Sequence, residues 1–128
     1  MPEASKTSET SETTMNKPEI EFSQPAGEWQ PHGSADIWDQ ILAHDPATGD
    51  ATLLQRYEPG AATPLETISH DYWEEVMILS GELTDVGLGQ TFTTGMYACR
   101  PPGMKHGPYQ STPGCSMLVI IRPRETSA

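Results

Sequence analysis

SHDYWEEVMILSGELTD, residues 69 to 85, sets one histidine and two adjacent glutamates directly before a run of apolar, partly branched residues that meets a glycine at Gly81. The run from Glu74 onward reads as one long strand, bent or bulged near Gly81. Side chains alternate across a strand, so Glu74 shares parity with Val76 and Ile78. If those two face an interior, Glu74 points inward at the strand's entrance and Glu75 points away. A carboxylate in that position requires a cation or strong hydrogen-bond donors. His70, four residues earlier across an Asp-Tyr-Trp corner, can approach the same point.

Other β-type runs surround this one. DIWDQILAHD and ATLLQRYEPG flank PATG, where Pro46 and Gly49 suit a tight connection, and together they predict a hairpin. VGLGQ is a turn, QTFTTG a returning strand, and GMYACRPPG a short strand stopped by a double proline that has no ladder donors. STPG then turns the chain into CSMLVIIRP, whose continuous apolar content predicts a fully buried strand. No segment of ten or more residues carries a convincing helical period. Short strands at this spacing indicate an all-β sandwich or barrel. The β domain is expected over residues 29–123, after a tail at 1–28 that is disordered or supplies an edge strand through IEF at 20–22, and before a short tail at 124–128.

Composition narrows the function. A chain of 128 residues, 35% hydrophobic, supports one domain with a single modest core. A formal charge of −11 disfavours an electrostatic grip on nucleic acid or an anionic membrane. No apolar stretch approaches a membrane span, and the N-terminus lacks the basic start and apolar segment of a secretory signal, so a soluble cytoplasmic protein is expected. Cys99 and Cys115 lack C-x-x-C spacing and are expected as buried free thiols.

Charge is unevenly spread. Between Arg56 and Arg100 there is no Lys or Arg, yet the interval holds Glu58, Glu66, Asp71, Glu74, Glu75, Glu82 and Asp85. Glu58, Glu82 and Asp85 lie next to turns, where solvent tolerates them. Arg56 and Arg100 either hold an anionic substrate group by a bidentate contact or neutralise nearby carboxylates. Tyr72, Trp73, Tyr97 and Tyr109 flank the proposed ligands or the strands leading to them, so they line a pocket or pack as ordinary aromatics. His32, after Pro31, and His44, beside Asp45, read as solvated or turn-forming.

GMYACRPPGMKH resembles the second signature of the cupin superfamily, with Gly95, Pro101, Gly103 and His106 in register. HDYWEEVMILSG resembles the second half of the first cupin signature through His70, Glu74 and Gly81. The phrases DPATGDATLLQRYEPGAATPLE, GELTD and PPGMKHGPYQSTPGC look like the small cupins related to the cupin domain of ChrR-type anti-sigma factors, a likeness covering residues 29–123. The resemblance implies a double-stranded β-barrel, or jelly roll, binding one divalent transition metal per chain in its open end. It also implies ligands at His70, Glu74 and His106. The family's first histidine falls on Ile68, which cannot ligate. The family phrase T-P-L-H stands here as TPLE, so a two-residue insertion would put Glu66 in the vacated role. The residue closing the second signature, often Asn, is Gln110.

Two imidazoles and one carboxylate are the minimum facial set of non-haem iron sites and leave positions open for water, oxygen or substrate. Iron, manganese, zinc and nickel are all compatible. Three functions follow: a metal-dependent enzyme of dioxygenase, isomerase or lyase type acting on a small organic molecule, with Arg56, Tyr97, Arg100 and Tyr109 at the substrate; a non-catalytic sensor or regulatory module; and a metal-free ligand-binding domain. A homodimer built by sheet extension is expected from exposed edge strands and family habit.

Overall fold

The computed structural model describes residues 17–33 and 35–124, so of the expected tails at 1–28 and 124–128, residues 1–16 and 125–128 lie outside the described residues. Nine strands form, and no helix is present among the described residues. They are β1 (Gln30–Pro31), β2 (Ile37–His44), β3 (Ala51–Tyr57), β4 (Ala61–Ala62), β5 (Tyr72–Asp85), β6 (Gln90–Thr93), β7 (Tyr97–Arg100), β8 (Tyr109–Ser111) and β9 (Cys115–Pro123). All pairings are antiparallel, and the sheet runs β1-β2-β3-β9-β5-β8-β4, with β6 and β7 also on β5. The sheet curls into a half-closed barrel.

The long strand decides this shape. The first half of β5 pairs with β7 and β9, and its second half with β6 and β8. Its register against β9 shifts between Ile78 and Ser80, where an irregularity lets the strand pass from one wall to the other. Gly81 completes the bend at a φ of 80°, and a Cβ there would lie 2.0 Å from the Gly114 carbonyl oxygen. Only glycine satisfies both demands.

Alternation fills the interior. Leu53 and Tyr57 of β3, Val76 and Ile78 of β5, and Met117 and Val119 of β9 are buried together with Ile37 and Leu83. β2 and β3 form the expected hairpin. β9, in contrast, is not buried on both faces. It has a strand on either side, but among the described residues no second layer covers its outer face, and Ile120 is 37% exposed. Cys99, on the outer face of β7, is exposed for the same reason, whereas Cys115 is buried as expected. The IEF segment forms no strand, and Phe22 projects fully into solvent. Residues 17–27 are tied to the sheet instead, by Gln40 Nε2 donating to the Gly27 carbonyl at 2.7 Å and by Lys17 Nζ donating to Thr52 Oγ1 at 2.9 Å.

Candidate metal centre

Three side chains converge at one end of the barrel. Glu74 enters from the start of β5 on the same face as buried Val76 and Ile78. His70 precedes β5 at the corner, its ring stacked on Tyr72 with centroids 4.7 Å apart and planes 9° from parallel. His106 follows the double-proline turn after β7. Backbone bonds fix the two histidine segments together: Ile68 N–H donates to the His106 carbonyl at 2.7 Å, His106 N–H to the Ile68 carbonyl at 2.9 Å, and Gly103 N–H to the His70 carbonyl at 2.8 Å. One potential ligand atom from each of His70, Glu74 and His106 lies within 4.8 Å of the others.

His106 carries the strongest indication of a missing partner. The residue is 8% exposed. Its Nδ1 is 2.9 Å from the Tyr109 hydroxyl, while its Nε2 is buried with no hydrogen-bond partner. Desolvation, assisted by the Arg100 charge, pushes the imidazole down to a pKa of about 4, so it is neutral at physiological pH. A neutral imidazole with a vacant, buried nitrogen is the ligating form. In that form Nδ1–H donates to Tyr109 Oη and leaves the Nε2 lone pair free. This donor set fits a divalent transition metal.

Arg100 lies directly behind the cluster. It pairs with Glu74 across β7 and β5, Nη1 donating to Glu74 Oε1 at 2.8 Å and Nη2 to Tyr109 Oη at 2.8 Å. Both the Arg100 and Glu74 side chains are 12% accessible. His70 Nε2 is 3.9 Å from the same Glu74 oxygen. Burial raises the Tyr109 hydroxyl to a pKa of about 12, so it remains protonated.

Not every expected residue joins the group. Glu66 is exposed in the loop between β4 and β5, outside the three-residue cluster. Ile68, the position to which the resemblance assigns the family's first histidine, packs against the core. Tyr97 lies on the outer face, where its hydroxyl donates to Glu75, because both residues have the parity opposite to Glu74 and Val76. Arg56 is also on the outer face, over the Trp29 ring at 4.6 Å and paired with Glu58 at 3.1 Å. Arg100 and Tyr109 are thus the two proposed substrate contacts that the fold brings to the cluster.

His32 has a more defined role than a solvated turn residue. Its Nδ1 is 2.5 Å from Asp39 Oδ2, and Gln55 Nε2 donates to the other Asp39 oxygen at 2.9 Å. The Asp39 hydrogen bond raises the His32 pKa, and the Glu74 carboxylate contributes to the same shift. The antiparallel register of β1 on β2, with Gln30 opposite Asp39, brings the pair together.

Comparison with known proteins agrees with this architecture. The family profile of the ChrR Cupin-like domain matches residues 19–124. No curated protein sequence matches the chain. An RmlC-like cupin from Shewanella frigidimarina superposes with a TM-score of 0.67 at 18% identity, covering 87% of this chain and 96% of the other. An acetylacetone dioxygenase from Acinetobacter johnsonii superposes with a TM-score of 0.65 at 17% identity, covering 95% and 80%. The Rhodobacter sphaeroides SigE complex with the anti-sigma ChrR gives 0.58 at 20% identity, covering 73% of this chain and 49% of that one. At these identities the superpositions establish the cupin fold alone. The profile match across most of the sequence goes further: the chain belongs to the ChrR Cupin-like domain family.

Proposed function

We propose that the protein is a metal-dependent cupin enzyme acting on a small organic molecule, with one divalent transition metal held by His70, Glu74 and His106. The observation that carries this reading is the buried, unpartnered Nε2 of His106 beside two further potential ligands. Bound there, the ion supplies Lewis acidity toward a carbonyl or enol oxygen, and redox capacity where it is iron. Three protein ligands leave positions for water or substrate. The Tyr109 hydroxyl holds the His106 ring through Nδ1, and Tyr72 stacking limits rotation of His70.

Reaction class follows less directly, since fold does not determine chemistry. Dioxygenase, isomerase and lyase activities all suit an open metal site, and structural neighbours include an acetylacetone dioxygenase and the polyketide cyclase RemF. Elemental analysis of protein prepared without a metal-chelating tag, followed by turnover assays on keto acids, β-diketones and phenolic ketones, tests the reading. A metal-free wild-type protein after exposure to Fe, Mn, Zn and Ni salts would overturn it.

Family membership favours a second reading, a non-catalytic sensor or regulatory cupin, because the neighbour ChrR is an anti-sigma factor in complex with SigE. Metal binding without turnover, coupled to capture of a protein partner, would favour this alternative. The exposed Trp73, Met77, Leu79 and Ile120 offer an apolar outer face for a homodimer, which light scattering of the purified protein tests.

A further inference from the structure

The Arg100 guanidinium already occupies one oxygen of the glutamate assigned to the metal. The contact is 2.8 Å long between two side chains that are each 12% accessible, so water screens it weakly. A divalent ion approaching Glu74 therefore meets a fixed positive charge and must share or displace it. Ile68 makes the competition more unequal, since the neighbour of His106 on this wall contributes no ligand.

A second observation concerns what lies behind the guanidinium. A chamber of about 170 Å³ opens inside the barrel between Val76, Ile78, Leu83, Phe92, Met96 and Met117, with Arg100 as its one cation. A wider cleft of about 340 Å³ reaches His106 and Tyr109 from outside, and Phe92, Ala98 and Arg100 line both spaces. Arg100 thus stands on the border of the two spaces. The chamber suits a short aliphatic or single-ring group, and the guanidinium suits an anionic oxygen attached to it.

We propose that Arg100 makes metal binding tighter in the presence of a small organic anion, whose oxygen engages the guanidinium while its apolar part fills the chamber. This rests on the metal-site reading above and extends it to substrate class and order of assembly. Without the anion, Arg100 competes with the ion for Glu74. With it, the Arg100 charge is offset, Glu74 is available, and both ligands bind more tightly together than apart. Coupling of this kind is reciprocal, because it is a free energy shared between two sites.

The test uses Zn²⁺ as the metal probe, titrated against a chromophoric chelator, with hexanoate as the anion and hexanol as its neutral counterpart. Wild-type affinity for Zn²⁺ is expected to rise by about tenfold with saturating hexanoate, within the usual range of coupling between sites, and to stay unchanged with hexanol. Arg100→Met is expected to bind Zn²⁺ more tightly than wild type without any anion, and hexanoate is expected to add nothing. Arg100→Gln gives the same comparison if the Met variant folds poorly, with circular dichroism checking both. Equal stimulation by hexanol, no effect of hexanoate on a wild-type protein that binds Zn²⁺, or weaker Zn²⁺ binding by both variants would each overturn the proposal while leaving the metal site standing. Absence of Zn²⁺ binding in wild type and variants alike would overturn the metal site itself, and this inference with it.

Discussion

Ile68 and His106 face each other across an isolated antiparallel bridge, each N–H donating to the other's carbonyl, so an apolar side chain stands beside the buried imidazole. Directly paired residues in an antiparallel bridge project to the same face. The cupin resemblance asks for a histidine at position 68, and the geometry shows that a ligand there would be close to His106.

Ile68→His is therefore expected to tighten Zn²⁺ binding by about tenfold or more, or roughly 1.4 kcal/mol, by adding a ligand to the existing three. The fold should lose about 1–2 kcal/mol, since Ile68 packs against the core. Chelator competition measures the first quantity and urea unfolding of the metal-free protein the second. Unchanged affinity would show that the residue 68 side chain does not reach the ion.

Strand parity separates the adjacent glutamates. Glu74→Gln removes a charged ligand and leaves Arg100 with a neutral partner, so metal affinity should fall at least tenfold, a loss of about 1.4 kcal/mol. Glu75 accepts from Tyr97 on the outer face, and Glu75→Gln should leave affinity within about twofold, the scale of a fraction of 1 kcal/mol. His106→Ala should abolish most binding, because among the described residues it leaves only His70 and Glu74 in the cluster. The reverse pattern for the two glutamates would shift the register of β5 by one residue.

Acid sensitivity follows from the depressed pKa of His106. Burial holds the folded value at about 4, below the ordinary value of 6.5. Between those values the unfolded chain binds a proton that the folded protein refuses, so stability falls as pH falls. The contribution is fully present above pH 6.5 and is lost progressively toward pH 4, with an upper limit of about 3 kcal/mol from one group. Urea unfolding of metal-free wild type and His106→Gln across this range checks the sign. The wild type should lose more stability than the variant, and parallel losses would assign the acid sensitivity elsewhere.

The legible part of this site was carried by local spacing. Alternation along β5 placed Glu74 inward and Glu75 outward, and the resemblance to the second cupin signature pointed to His106. Cross-strand relationships were harder to read. Arg100 was recognisable as a rare cation, but choosing Glu74 as its partner needed the register of β7 on β5. The His32 and Asp39 pair likewise needed the register of β1 on β2. Glu66 matched a family phrase, yet a sequence offset cannot specify how a loop is displaced, and the loop leaves it in solvent. The apolar run of β9 resembled a two-sided core strand, but apolar content alone does not reveal whether a second layer covers the outer face.

The N-terminal segment gives a last test, in which two truncations should differ. Lys17 makes one partly buried hydrogen bond with Thr52, and a single such bond contributes only modestly to stability. Farther along, the Gly27 carbonyl accepts from buried Gln40, and Trp29 covers the Arg56 guanidinium at 4.6 Å. Removing residues 1–18 should therefore shift the melting temperature by less than about 2 °C, the effect of a few tenths of a kcal/mol. Removing residues 1–29 deletes the Gln40 partner and the aromatic cover, each worth about 1 kcal/mol, and should lower the melting temperature by about 5–10 °C. Metal affinity should be unchanged in both, since these contacts lie on the outer face. Equal melting temperatures for the two truncations would show that residues 19–29 rest on the sheet without stabilising it.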